Sequence, residues 1–114
     1  MFTFYCVTTW TTCRKAKAWL SDQGVKFNYR DLLKEPLSKG ELDDLAKLGG
    51  MSIKDLLNPR STGFKKLNLE VDKLNDNEAA SLISENPRIM RRPIFTDGKN
   101  LAAGFDTDRY AEMI

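Results

Sequence analysis

Between Phe2 and Arg30 the hydrophobic pattern changes period twice, and this constrains the fold more than any other feature. Phe2-Thr3-Phe4-Tyr5-Cys6 is a short aromatic-rich run of the kind that forms a buried strand. Val7 to Thr11 is a hydroxyl-rich loop. Thr11 or Thr12 can cap a helix whose body is Arg14 to Gln23, and Gly24 supplies its stop. Val25, Phe27 and Tyr29 then alternate with Lys26, Asn28 and Arg30, which reads as a second strand. Strand, helix and strand at this spacing predict a right-handed βαβ unit with parallel strands.

The middle of the chain reads as helical. Ser38 and Glu41 form a capping-box pattern before Leu42, Leu45 and Leu48, and Gly49-Gly50 ends that helix. Ser52 with Asp55 offers a second start, broken at Asn58-Pro59. Asn75 with Glu78 offers a third, which runs through Leu82 and Ile83 and ends near Asn86-Pro87. Leu69 to Asp72 fits neither period. Pro93 to Thr96 reads as a strand, Asp97-Gly98 as a hairpin signal, and Leu101 to Ala103 as the returning strand. Asp106 then caps a final helix through Tyr110 and Met113. The order is βαβ, a helical block, then ββα, and a single domain over residues 1–114 is expected.

Composition narrows the function. The chain has 114 residues, enough for one core without disulfide staples. No apolar run approaches the roughly 20 residues of a membrane span. The start MFTFYCVTTW has neither a basic region nor a cleavage pattern, so no signal peptide is expected and the cytoplasm is the default location. Eighteen basic and 16 acidic residues, net +2, are too balanced to imply direct nucleic-acid binding. There is no histidine, which removes the commonest general base and metal ligand. With two cysteines, no zinc site is expected.

Chemistry then rests on thiol, guanidinium, amine, carboxylate or hydroxyl groups. Cys13 falls just inside a helix N-terminus, where backbone N–H groups and the helix dipole favour a thiolate, and Arg14 and Lys15 add positive potential. Cys13 is therefore a candidate nucleophile. Cys13, Ala16 and Leu20 also stand at i, i+3 and i+7, a spacing that would turn the sulfur into the core. Cys6 ends a central strand and reads as core; a Cys6–Cys13 disulfide needs the loop to bring the two Cα atoms within roughly 7 Å. Arg60 follows Asn58-Pro59, and Arg88, Arg91 and Arg92 crowd Pro93. An Arg-Pro pair before a strand suits a cis peptide, and Arg92 beside the helix N-terminus would suit an oxyanion or a thiolate. Arg88, Lys65 and Lys66 read as surface charge. Trp10 either faces outward as an interface residue or folds back over the loop to cover core.

The stretches FTFY with CRKAKAWL, NPRSTGFKKLN, and NPRIMRRPIFTDGKNLAAGFD resemble the ArsC/Spx family of thioredoxin-fold proteins over essentially the whole chain. The resemblance implies an α/β thioredoxin-like fold, with a mixed sheet of about four strands flanked by helices. It implies that the loop with Trp10, Thr11 and Thr12 is the active-site and substrate-binding loop, that Pro93 is a cis-proline facing it, and that Arg60 and Arg92 match arginines that bind the oxyanion in arsenate reductases. The departures are specific. Trp10 stands where the reductases carry the nucleophile, and Trp10-Thr11-Thr12-Cys13 keeps only the second cysteine of the Spx C-x-x-C. Ala102-Ala103-Gly104-Phe105 replaces a segment that carries a further arginine. Arsenate chemistry is therefore not expected.

Three functions compete. The first is a thiol-redox protein that uses Cys13 alone with Arg60 and Arg92, binds no cofactor, and draws its second thiol from glutathione or a glutaredoxin or thioredoxin. The second is an Spx-like regulator whose fold contacts the RNA polymerase α subunit; Gly49-Gly50 falls where Spx-like proteins make that contact. The third is an inactive homologue with another partner. A monomer is expected in each case.

Overall fold

The two ends of the chain build one sheet. The computed structural model describes residues 2–7 and 10–114. Packing divides the chain into two compact units: residues up to Glu35 together with Arg92–Ile114, and Pro36–Arg91.

The first unit holds strands β1 (Phe2–Cys6), β2 (Phe27–Asp31), β3 (Ile94–Thr96) and β4 (Leu101–Ala103), with helices α1 (Thr11–Asp22) and α5 (Thr107–Met113). The strand order is β2-β1-β3-β4. β1 and β2 run parallel, with Phe4 opposite Tyr29; β1 and β3 run antiparallel, with Phe4 opposite Phe95; and β3 and β4 run antiparallel. This is a thioredoxin-like α/β arrangement with a four-stranded mixed sheet. The parallel pair follows from the βαβ connection through α1, which a two-residue turn could not make.

The core of this unit is aromatic. Phe4 and Cys6 from β1, Cys13, Ala16 and Leu20 from α1, Phe95 from β3 and Tyr110 from α5 form one buried cluster. Phe2 stacks on Phe95 with ring centroids 5.3 Å apart, and Phe95 meets Tyr110 at 4.9 Å. The i, i+3, i+7 spacing of Cys13, Ala16 and Leu20 is the reason α1 turns that face to the sheet.

Two of the boundaries that differ from the sequence reading have a plain local cause. α1 begins at Thr11, and its N-cap is Trp10, which has extended backbone and no side-chain cap hydrogen bond. Thr11 and Thr12 are already helical, so neither is the cap. β2 begins at Phe27 and not at Val25, because helix termination consumes the preceding residues: the Val25 N–H donates to the Leu20 carbonyl (3.1 Å) and Gly24 takes φ +74°.

The second unit contains α2 (Lys39–Leu48), α3 (Thr62–Leu67) and α4 (Asp76–Glu85), joined by 3₁₀ turns at Ile53–Leu56, Val71–Lys73 and Pro87–Ile89. Its starts are capped as the sequence indicates. Ser38 and Glu41, and Asn75 and Glu78, form reciprocal capping boxes. Ser52 and Asp55 start a 3₁₀ turn. α3 has no counterpart in the sequence reading. It is six residues long, too short for an apolar period to show, and its signal is the Ser61 hydroxyl, which accepts from the Phe64 N–H (3.2 Å). The Leu57–Met90 bridge and the Asn58 N–H to Ile89 carbonyl bond (2.7 Å) tie the Leu56–Asn58 segment to residues 89–91.

Candidate functional site

The junction of β1 and α1 is where the sequence places the chemistry. Thr8 and Thr9 of the loop lie outside the described residues. The Trp10 N–H donates to the Val7 carbonyl (3.0 Å), and the Arg14 N–H donates to the Trp10 carbonyl (3.1 Å). Trp10 thus closes the loop and opens the helix at once. Its indole has an N–H donor and no acceptor, so it cannot satisfy the first helical N–H groups as a threonine would.

Trp10 is half-buried and packs against the aromatic core cluster. Of the two sequence readings of this residue, the folded-back one matches. The Arg92 guanidinium lies over its ring, 3.6 Å from the centroid. A cation over indole at this distance contributes roughly 0.5–2 kcal/mol, depending on desolvation. The structure therefore brings Arg92 to the loop, but against the face of the tryptophan. No local sequence signal marks this stack, since positions 10 and 92 are far apart along the chain.

Cys13 is fully buried, as is Cys6, and the two are joined as a disulfide with Cα atoms 6.0 Å apart. That separation lies inside the usual disulfide range. The Val7 N–H points at the Cys13 sulfur (3.4 Å). The sequence reading offered Cys13 as a catalytic thiol; here its sulfur faces the core and is bonded. The cause is the register of α1: with Trp10 at the cap, the third helical position points into the Phe4–Phe95 cluster. Thr11 and Thr12, the first two, point outward and are exposed.

Pro93 is buried, and the Arg92–Pro93 peptide bond is cis. The Pro93 carbonyl accepts from the Gly104 N–H (2.8 Å), which closes the β3–β4 hairpin. Arg60 belongs to the second unit. It is exposed, its N–H donates to Asn58 Oδ1 (3.1 Å), and it precedes the Ser61 cap of α3. Among the described residues, no group of three or more His, Cys, Asp or Glu side chains could hold a metal ion. Nor is any helix of the described residues long and apolar enough to cross a membrane.

Residues 5–113 match the ArsC family model. This chain belongs to the ArsC family. Relatives of this ArsC-family chain include the global transcriptional regulator Spx of Streptococcus agalactiae, 39% identical over 108 residues, which cover 95% of this chain and 79% of the relative. The global transcriptional regulator Spx of Enterococcus faecalis is 37% identical over 114 residues, covering 100% of this chain and 86% of the relative. Among solved structures, an arsenate reductase from Vibrio cholerae superposes with TM-score 0.87 at 22% identity, covering 99% of this chain and 97% of that one. At that identity the likeness shows the fold alone. An arsenate reductase (ArsC) related protein from Brucella melitensis superposes with TM-score 0.72 at 30% identity, covering 97% and 92%.

Proposed function

We propose that this chain is a regulatory module of the Spx type that acts on transcription by binding the RNA polymerase α subunit in the cytoplasm, and that it does not turn over a substrate. One observation carries the reading: no thiol faces outward at the β1–α1 junction. The cap position holds Trp10 under Arg92, and the Cys13 sulfur is buried and bonded to Cys6. A nucleophile needs thiolate character and access, and neither described cysteine has access. The likeness to Spx regulators over nearly the whole chain supports the same conclusion. Gly49-Gly50, at the end of α2, matches the segment through which Spx-like proteins contact polymerase. Gly50 takes φ +65°, a conformation glycine adopts without penalty.

The test is a pull-down with the purified C-terminal domain of the polymerase α subunit. The chain should recover that domain, and Gly49→Arg should lose it while keeping the native circular dichroism. Gly49 has φ −85° and accepts a side chain without backbone strain. Recovery of nothing by the native chain would remove the proposal.

A second reading has one observation in its favour. The Val7 N–H aimed at Cys13 Sγ, together with the first turn of α1, would stabilise a thiolate once the Cys6–Cys13 bond is reduced. Cys13 would then attack a disulfide sulfur, the departing thiolate would take up a proton, and glutathione or a small redox protein would release the mixed disulfide by a second exchange. Arg92 would stabilise charge, with Thr11, Thr12, Trp10 and Pro93 lining the substrate. After reduction, alkylation of Cys13 by iodoacetamide separates the readings. Slow labelling with a thiol pKa at or above about 8.5 supports the regulator; fast labelling with a depressed pKa supports the reductase.

A further inference from the structure

The second unit carries an apolar track that the regulatory reading does not use. Two grooves, of about 480 and 410 Å³, share Leu69. One runs over Pro59, Phe64 and Val71, the other over Leu74 and Leu82. Leu69 is 41% exposed. The local chain explains this. Asn68 takes φ +54° after α3, and none of Val71–Lys73 is buried, so the segment lies across the surface and leaves Leu69 uncovered.

Apolar exposure alone would not name an occupant; the rim does. Glu70 and Asp72 line the first groove and Glu78 and Glu85 the second, with Lys65 the one cation among the lining residues. Residues 65–85 hold Glu70, Asp72, Asp76, Glu78 and Glu85 against Lys65, Lys66 and Lys73, with Lys73 paired to Glu70 (3.3 Å), in a chain whose net charge is +2. The face is locally acidic on a basic molecule. It repels nucleic-acid phosphates and anionic lipid headgroups, and attracts cations. Glu78 and Glu85 stand seven residues apart on α4, two turns, so the carboxylates run beside the apolar floor at helical spacing.

We infer that this track binds a protein segment that presents leucine-like side chains on one face and lysine or arginine beside them, an amphipathic basic helix laid along α4. Burial on Leu69 and Leu82 supplies the affinity. The carboxylates set sign and orientation. The inference is independent of the transcription reading.

The probes are two synthetic 14-residue peptides, each with leucine on one helical face, one carrying lysine on the other face and one carrying glutamate. They are titrated to ~1 mM, the millimolar limit of measurable binding, into the isotope-labelled full chain, and backbone amide shifts are followed. The lysine peptide should move amides of residues 65–85, and the glutamate peptide should not. Leu69→Ser should weaken binding at least several-fold. Glu70→Lys with Glu85→Lys should weaken the lysine peptide ~10-fold or more and admit the glutamate peptide. These positions are exposed, so the variants keep the fold, and Gly49→Arg should leave peptide binding unchanged. The inference is overturned by no shifts at the highest concentration, by shifts centred on other acidic positions such as Asp43-Asp44, or by equal binding of both peptides. It is also overturned if duplex DNA or anionic vesicles move the same amides.

Discussion

Tyr110 shows how one buried residue couples the hairpin to the last helix. It is fully buried against Phe95, and its hydroxyl donates to the Gly104 carbonyl at 2.8 Å. Burial pushes its ionisation well above the usual tyrosine value, and the Asp106 charge adds to this. The folded state therefore keeps the proton to higher pH than the unfolded chain. Its contribution to stability is complete below about pH 10, the unfolded value, and is lost as pH rises beyond it. Denaturant midpoints should be flat through neutral pH and then fall, by at most about 1.4 kcal/mol per pH unit from this group. Tyr110→Phe should cost about 1 kcal/mol at pH 7 through the lost hydrogen bond and flatten the alkaline fall. The sequence marked Tyr110 only as a helix position. Its partner carbonyl comes from a glycine six residues earlier, and its shift comes from the surrounding cluster.

At the scale of elements, the starts of α2 and α4 were legible because a capping box is written in four consecutive residues. Asn75 Oδ1 accepts from the Glu78 N–H at 2.8 Å, and Glu78 Oε1 accepts from the Asn75 N–H at 3.1 Å. Asn75→Ala should destabilise α4 by about 1 kcal/mol, read as a shift in the urea midpoint with an unchanged slope. The start of α1 was misread for the complementary reason. Threonine is the better cap by propensity, but burial of Cys13, Ala16 and Leu20 fixes the helical phase, and that phase places tryptophan at the cap. The Asp97-Gly98 signal did locate the hairpin. Asp97 Oδ1 accepts from the Lys99 and Asn100 N–H groups, which hold its carboxyl below the usual carboxylate range, and Gly98 takes φ +91°.

At the scale of the whole molecule, charge decides what the chain does unaided. A net charge of +2 predicts little overall attraction for phosphate. In a mobility-shift assay at ~0.15 M salt, the protein alone should leave a random-sequence duplex unshifted at micromolar concentration. The sequence by itself determined the order of the four strands, the parallel β1–β2 pair, the starts of α2 and α4 and the family, because these depend on local spacing and on patterns a few residues long. That position 10 holds a tryptophan and not a cysteine was equally plain in the residues. Only the tertiary structure decided that Cys13 faces Cys6 and not solvent, that Arg92 covers Trp10, and that Leu69 stays exposed above an acidic rim. Each depends on which distant residues share a space. Burial and electrostatic contact act through that proximity, and proximity between positions 6 and 13, or 10 and 92, exists only after the sheet has formed.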